Sequence, residues 1–317
     1  MKSPSLRVNG IIAAAGSAFF LGLTPIFGKQ SILLGFTPLA VVTIRTCLAA
    51  FLLFCFILFF KRSLFYIYPF GLVGCLVAGF INGLGSILYY TALSRIDASV
   101  GQLLYSFYPL FVALWLFLDR QSVNRITLVR LLLILPGVYL LLSNAQKSID
   151  LIGAGLMFAA ALFYALHLLI NQRILYEAPA PTVTFYTLLS MSLTVTAAFL
   201  IFHPSFPPMG TPWWPLLSLA LITFLSRIAL FQGVKQLGGM QTSLLGLGEL
   251  LVTVVFARLL LHETLELTQW LGALLIGLNM LLVAYDKPTA VKRTGKGFLF
   301  WLNPPSITPN DYPFQNQ

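Results

Sequence analysis

Ten runs of about twenty mostly apolar residues constrain this chain more than any other feature. Their approximate limits are 8–28, 38–60, 68–93, 98–118, 126–143, 151–173, 182–203, 213–236, 242–261 and 268–285. Twenty residues at 1.5 Å rise match the hydrocarbon thickness of a bilayer. A segment surrounded by lipid must satisfy its own backbone, so each run is expected to be a helix. The connections are short and carry breakers such as Phe36-Thr37-Pro38 and Pro179-Ala180-Pro181. The loop from His203 to Pro215 holds five prolines, at 204, 207, 208, 212 and 215. Hydrophobic residues make up 58% of the chain and charged residues 9%, against roughly 25% charged in a soluble domain. The expected fold class is therefore an all-α integral membrane protein with ten transmembrane helices. The first run continues past its small residues, Ala13 to Ala18, and is expected to be a span, not a cleaved leader.

The net charge of +10 points to basic cytoplasmic loops, with no nucleic-acid partner expected. With the N-terminus inside, 13 of the 19 Lys and Arg fall in or near cytoplasmic segments, among them Lys2, Arg7, Lys61, Arg62, Arg173 and Lys235. Only Lys29, Arg95 and Lys147 fall outside, and Arg45, Arg227 and Arg258 lie within spans. This asymmetry predicts a multi-pass protein of the cell membrane with both termini cytoplasmic. Residues 287–317 hold Lys287, Lys292, Arg293 and Lys296 before a polar, Pro-rich end, and are expected to be a disordered basic tail. Phe298 to Trp301 beside that cluster offer the alternative of a membrane-surface contact. Cys47, Cys55 and Cys75 all sit in apolar runs, so neither a disulfide framework nor a zinc site is expected, and no cofactor is implied.

A shift of 143 residues aligns the chain with itself. Gly10 meets Gly153, Ala18 meets Ala161, Phe20 meets Phe163, and Pro38 meets Pro181. A shift of 141 brings Leu93-Ser94-Arg95-Ile96 onto Val234-Lys235-Gln236-Leu237. Residues 1–145 and 146–286 are thus expected to be two five-span repeats. Five is odd, so copies joined in series point in opposite directions, the arrangement common in secondary transporters.

Several stretches resemble a known family. Gly153-Ala154-Gly155 through Ala159-Ala160-Ala161-Leu162-Phe163-Tyr164-Ala165 is similar to the opening helix of an EamA repeat. Glu249 and Glu263, in Gly248-Glu249-Leu250 and Leu261-His262-Glu263-Thr264, resemble the family's LEP…GER helix. Trp270 to Ile276 is similar to the start of its last helix, Arg45 sits where the family often has Arg, and Tyr108-Pro109 occupies the first-half EP position. Leu250, His262, Thr264, Tyr108 and Ser122 depart from the family pattern. The resemblance spans about residues 8–285 and implies the drug/metabolite transporter (DMT) superfamily, whose members mostly export small metabolites, amino acids or drugs.

A transporter needs a polar path, and an ionisable group at the bilayer centre costs about 2.5–3.5 kcal/mol on insertion scales. Arg45, Arg227 and Glu249 are the mid-span charges, and Arg227 and Glu249 are expected to meet at similar depth as a pair, functional or structural. Glu249 is also the candidate for proton coupling. Asn82, Gln102, Tyr105, Tyr108, Tyr164, His167 and Gln232 are the neutral candidates for substrate binding. Gln102, Tyr105 and Tyr108 share a helix face by their spacing of three, as do Tyr164 and His167. For each tyrosine, packing is the alternative to lining a site, and for His167 a helix–helix hydrogen bond. Gly79, Gly83, Gly85, Gly246 and Gly248 mark close helix contacts, and Pro109 and Pro136 mark kinks.

No HExxH, CxxC, GxSxG or phosphate-loop motif is present, so neither an enzyme nor an ATP-driven pump is expected. The expected function is secondary active transport, in the export direction, of a small metabolite such as an amino acid or drug-like compound, with a proton or other ion as coupling partner. The alternatives are a non-transporting membrane scaffold or receptor, which predicts a dry centre, and an integral-membrane enzyme on lipid-linked substrates, which predicts clustered acid–base or metal ligands.

Overall fold

The computed structural model describes residues 4–119, 150–202 and 210–260 continuously, with scattered positions at 128–140, 204, 207 and 271–299. Its elements are helices α1 (Pro4–Leu33), α2 (Pro38–Phe60), α3 (Pro69–Arg95), α4 (Ala98–Tyr105), α5 (Tyr108–Leu118), α6 (Leu151–Ile174), α7 (Ala180–Phe202), α8 (Trp214–Leu237), α9 (Gly239–Gly246) and α10 (Gly248–Leu260), with a 3₁₀ turn at Arg62–Phe65. Taking α4–α5 and α9–α10 each as one broken span, eight segments are long and apolar enough to cross a membrane among the described residues. They coincide with eight of the ten expected runs. The other two, 126–143 and 268–285, lie largely outside the described residues, as does Glu263.

Local chemistry sets the helix starts. Thr37 accepts from the Ala40 backbone N–H at 3.3 Å and is followed by Pro38 at the first helical position. Asp150 caps α6 by accepting from Ile152 N at 2.9 Å. Pro69, Pro109 and Pro215 likewise sit in first turns. Gly238 lets α8 turn directly into α9 at φ +93°, where a side chain would be strained.

The two broken spans differ in cause. Between α4 and α5 the chain leaves the helix at Ser106-Phe107, and Pro109 cannot donate back into the preceding turn. Pro109 thus ends one helix and opens another, where a kink was expected. The break at Leu247 has no proline and lies between Gly246 and Gly248.

Packing contacts come in matched pairs. The full-length helices α1 and α8 lie along each other, as do α3 and α6. Helix α2 packs on α8 and α7 on α3; α1 meets α10 and α6 meets α5; α4 contacts α10 and α9 contacts α5; α2 and α7 pack together. Small residues permit the close approaches. A Cβ at Gly79 would collide with Thr187 O and lie 2.5 Å from Ser190 Cβ on α7, and one at Gly83 would lie 2.9 Å from Thr194 Cβ. Gly85 faces Phe163 of α6 in the same way, at 3.1 Å. Large apolar side chains face outward, including Phe59, Phe60, Phe117 and Phe202, each about three-quarters exposed, as a lipid-facing surface requires.

One buried ion pair was not foreseen. Asp119, just past α5, pairs with Arg173 in the last turn of α6, and both side chains are buried. Asp119 Oδ1 also accepts the backbone N–H of Leu299 at 3.1 Å. Leu299 is the one described residue of the tail expected to be disordered, and it is buried in the main apolar core.

Candidate functional site

Seven of the ten site residues expected from sequence converge on one internal cavity. It is lined by Thr24 of α1, Arg45 of α2, Asn82, Ser86, Tyr89 and Tyr90 of α3, Gln102 and Tyr105 of α4, Tyr164 of α6, Arg227 of α8 and Glu249 of α10. Leu21, Gly85 and Ala160 complete the wall. Its volume open to water centres is ≈ 50 Å³, room for roughly three or four waters or a small polar group.

Each helix brings its residues in by periodicity. Asn82, Ser86, Tyr89 and Tyr90 follow i, i+4, i+7, i+8 spacing along one face of α3. Ser86 and the two tyrosines complete a stripe of which only Asn82 was a candidate from sequence, and that spacing was the available signal. Thr24 and Thr223 had none, since a lone threonine in a span normally bonds its own helix.

Arg45 is buried, with Nη1 donating to Thr223 Oγ1 at 3.1 Å and Nη2 to Ser86 Oγ at 3.3 Å. Its guanidinium carbon lies 4.8 Å from the Tyr90 ring centroid, a cation–π arrangement. Arg227 lies 5.8 Å from the Tyr164 ring centroid, and its Nη1 is 3.4 Å from His167 Nε2. His167 Nδ1 lies 3.3 Å from Ala78 O and 2.9 Å from Asn171 Nδ2.

Glu249 opens α10, just after the Leu247 break. Gln102 Nε2 donates to its Oε2 at 3.2 Å, and the Tyr108 hydroxyl donates to its Oε1 at 3.5 Å. Tyr89 donates in turn to Gln102 Oε1 at 3.3 Å. Tyr108 and Glu249 are 141 positions apart, the register of the second self-alignment, and each stands in the first turn after a break. Tyr105 joins the rings of Tyr89, Tyr108 and Tyr164, with centroids 5.1–5.6 Å apart.

The expected direct pairing of Arg227 with Glu249 is corrected. Both face the cavity, but no ion pair within 4 Å joins them among the described residues. Arg227 is held against Tyr164 and His167, while Glu249 is turned to Gln102 and Tyr108. Three other candidates stand apart. His167 lines a second, narrower cleft with Asn82, Thr187, Arg227 and Phe231. There it faces Asn171, whose Oδ1 accepts from Thr187 at 2.9 Å. Tyr108 reaches Glu249 from behind the cavity wall, and Gln232 is half-buried on α8 away from both spaces.

Five buried polar atoms of the cavity-lining residues make no hydrogen bond: Thr24 Oγ1, Arg45 Nε, Tyr90 OH, Tyr164 OH and Arg227 Nε. Buried polar atoms are ordinarily paired, and these five all belong to the walls of one space.

The model of the EamA-like transporter family matches the chain twice, over residues 8–143 and 151–285. The chain belongs to this family. It is thereby a multi-pass membrane protein of the DMT superfamily and a transporter by family. An uncharacterized transporter of Synechocystis sp. is 28% identical over 238 residues, covering 72% of this chain and 69% of that one. An uncharacterized transporter of Bacillus subtilis is 24% identical over 288 residues, covering 82% and 89%. A solved crystal structure superposes with a TM-score of 0.66 at 15% identity, covering 88% of this chain and 98% of the other. That likeness bears on the fold alone.

Proposed function

We propose that this EamA-like protein is a secondary active transporter that exports a small polar metabolite by alternating access. In this reading the chain forms ten spans in two inverted five-helix repeats, 1–145 and 146–286, with both termini cytoplasmic in the cell membrane. The matched packing supports the repeat: α1 on α8 corresponds to α6 on α3, and α2 on α8 to α7 on α3. The observation that carries the reading is the cavity, lined from both halves, with its unpartnered hydroxyls and guanidinium nitrogens. Burying such groups in a membrane interior is costly unless a ligand uses them. A scaffold would have a dry, apolar centre instead. Substrate sites between inverted repeats near the midplane are the usual design of secondary transporters.

No nucleotide-binding motif is present in the sequence, so uphill export draws on an ion or solute gradient. Glu249 is the candidate to exchange a proton, because it is the acidic residue that lines the cavity. Reconstitution into liposomes with a panel of labelled metabolites tests the reading. Counterflow of at least one solute is the expected result, and its absence across amino acids, organic acids, sugars and organic cations sinks transport. Uptake into inverted vesicles that ignores an imposed pH gradient removes proton coupling alone.

A further inference from the structure

We infer that the cavity takes a small organic anion, whose carboxylate or phosphate group bridges Arg45 and Arg227. The inference rests on the cavity's being the transport site, and it is carried by what the cavity lacks. The unpartnered polar atoms in its walls are Arg45 Nε and Arg227 Nε, which only donate, and the hydroxyls of Tyr90, Tyr164 and Thr24, which readily donate, all of them packed just behind the lining surface, so that a ligand reaches them by a small shift of these side chains. What is missing is an acceptor. The carboxylate present, Glu249, has one oxygen engaged by Gln102 and the other by Tyr108.

Charge gives the same answer independently. Two guanidiniums and one carboxyl group line the space, which leaves it with at least one excess positive charge whether or not Glu249 holds a proton. Among the described residues neither arginine has a carboxylate within 4 Å. Water satisfies orphaned donors but does not neutralise a buried cation, and an unpaired buried charge is strongly unfavourable. A bound monoanion corrects both deficits at once.

Geometry narrows the class. Each guanidinium is anchored at its Nη end, Arg45 by Thr223 and Ser86 and Arg227 by His167, and each is stacked on a tyrosine ring. The Nε–H is left unpartnered on both. A planar guanidinium fixed in this way suits an oxyanion with two or more oxygens. The volume of ≈ 50 Å³ fits the anionic headgroup of a ligand and little more. A larger body therefore has to widen the site. Organic cations meet two like charges and an acceptor already in use.

The test combines binding and transport. Acetate, succinate, L-aspartate and inorganic phosphate are titrated calorimetrically into purified protein, with choline and myo-inositol beside them, and each is then assayed for counterflow in proteoliposomes. At least one anion is expected to bind and exchange, while choline and inositol do neither. Arg45→Gln and Arg227→Gln each lose about 10- to 100-fold in affinity, the effect of one charged hydrogen bond. Tyr164→Phe keeps both charges and loses about threefold to tenfold, so it reports on the site if an arginine variant misfolds. Choline or inositol exchange without anion binding overturns the anion and leaves transport standing. Arginine-dependent anion binding without exchange of any probe leaves the anion site and overturns transport. Anion binding indifferent to Arg45, Arg227 and Tyr164, or no anion binding at all, overturns the inference.

Discussion

At the residue scale the decisive relation is between Arg227 and Glu249. Their positions along the spans give depth directly, because each residue advances a helix by 1.5 Å. They do not give azimuth, because each residue also turns it by about 100°. Depth alone therefore places the two charges at one level and makes them look like partners. The Leu247 break resets the rotation of α10, so Glu249 is aimed at Gln102 and Tyr108. This yields a prediction that a true pair would contradict. Exchanging the charges, Arg227→Glu with Glu249→Arg, leaves a guanidinium at position 249 facing the amide of Gln102 and removes both charged hydrogen bonds of the carboxylate. Each is worth about 1.5–3 kcal/mol, so counterflow in proteoliposomes is expected to fall at least about tenfold in the double variant, as in each single one. Recovery of wild-type counterflow by the double variant restores the pair. Asp119 and Arg173 show the converse. Their opposite charges close the fourth and sixth runs, a signal present in the sequence but masked by counting Arg173 among the solvated loop cations.

At the scale of elements, span existence and order follow from hydropathy because lipid admits few alternatives. The close contacts are legible too, since Gly79, Gly83 and Gly85 of α3 all face neighbouring helices. The break at Leu247 is not, because it arises without proline where Gly246 makes room for the Tyr108 hydroxyl. Gly79→Val drives a branched side chain into the backbone of α7, and overpacking of this kind costs about 1–3 kcal/mol. A clear drop in the thermal midpoint of detergent-purified protein is expected, whereas Gly16→Ala, with nothing within 4 Å of its new methyl, stays at or above the wild-type value. Equal midpoints for the two variants count against this packing. A second element-level tie joins α3 to α6 through Arg95 and Asp150, at 3.0 Å and partly exposed. The hydrogen bond from Arg95, with the backbone N–H of Ile152 beside it, lowers the Asp150 carboxyl below its ordinary range. A group with a depressed folded-state value stabilises above its unfolded value, near pH 4, and loses that contribution as pH falls through the folded one. The midpoint difference between wild type and Arg95→Ala is therefore flat from about pH 8 to 5 and shrinks only below about pH 4. A difference that grows on acidification reverses the sign and removes the tie.

At the scale of the molecule, the matched contacts say which parts are free to move. Helices α1 and α8 touch along their length, from Gly10 beside Gln236, through Ala14 beside Gly233, to Phe27 against Trp214 with ring centroids 6.0 Å apart. Helices α3 and α6 do the same, from Arg95 beside Gly153, through Gly85 beside Phe163, to Ala78 beside His167. The end contacts correspond residue for residue: Gly10 to Gly153 at the shift of 143, and Gln236 to Arg95 at the shift of 141. Separating either pair forfeits a continuous run of close packing, with no hydrophobic gain in lipid to offset it. The broken spans α4–α5 and α9–α10 bend at points beside the cavity, and each is tied to a rib at one place, α10 to α1 where Thr253 donates to Gly22 O at 2.7 Å and α5 to α6 where Trp115 donates to Leu162 O at 3.2 Å. If access alternates, α1–α8 and α3–α6 travel as two ribs and the broken spans swing between them. Cβ atoms built at Gly10 and Gly153 lie 2.9 Å from Gln236 Cβ and 3.1 Å from Arg95 Cβ, within a small shift of disulfide geometry. In a background without Cys47, Cys55 and Cys75, the pairs Gly10→Cys/Gln236→Cys and Gly153→Cys/Arg95→Cys are expected to oxidise readily. Each should then retain at least about half of its reduced counterflow, because a lock placed inside a rigid rib blocks no motion. Arg95→Cys alone controls for the lost tie to Asp150. Loss of counterflow on oxidation, restored by reductant in either pair, shows that the helices of that pair part during transport and that the ribs are not the moving units.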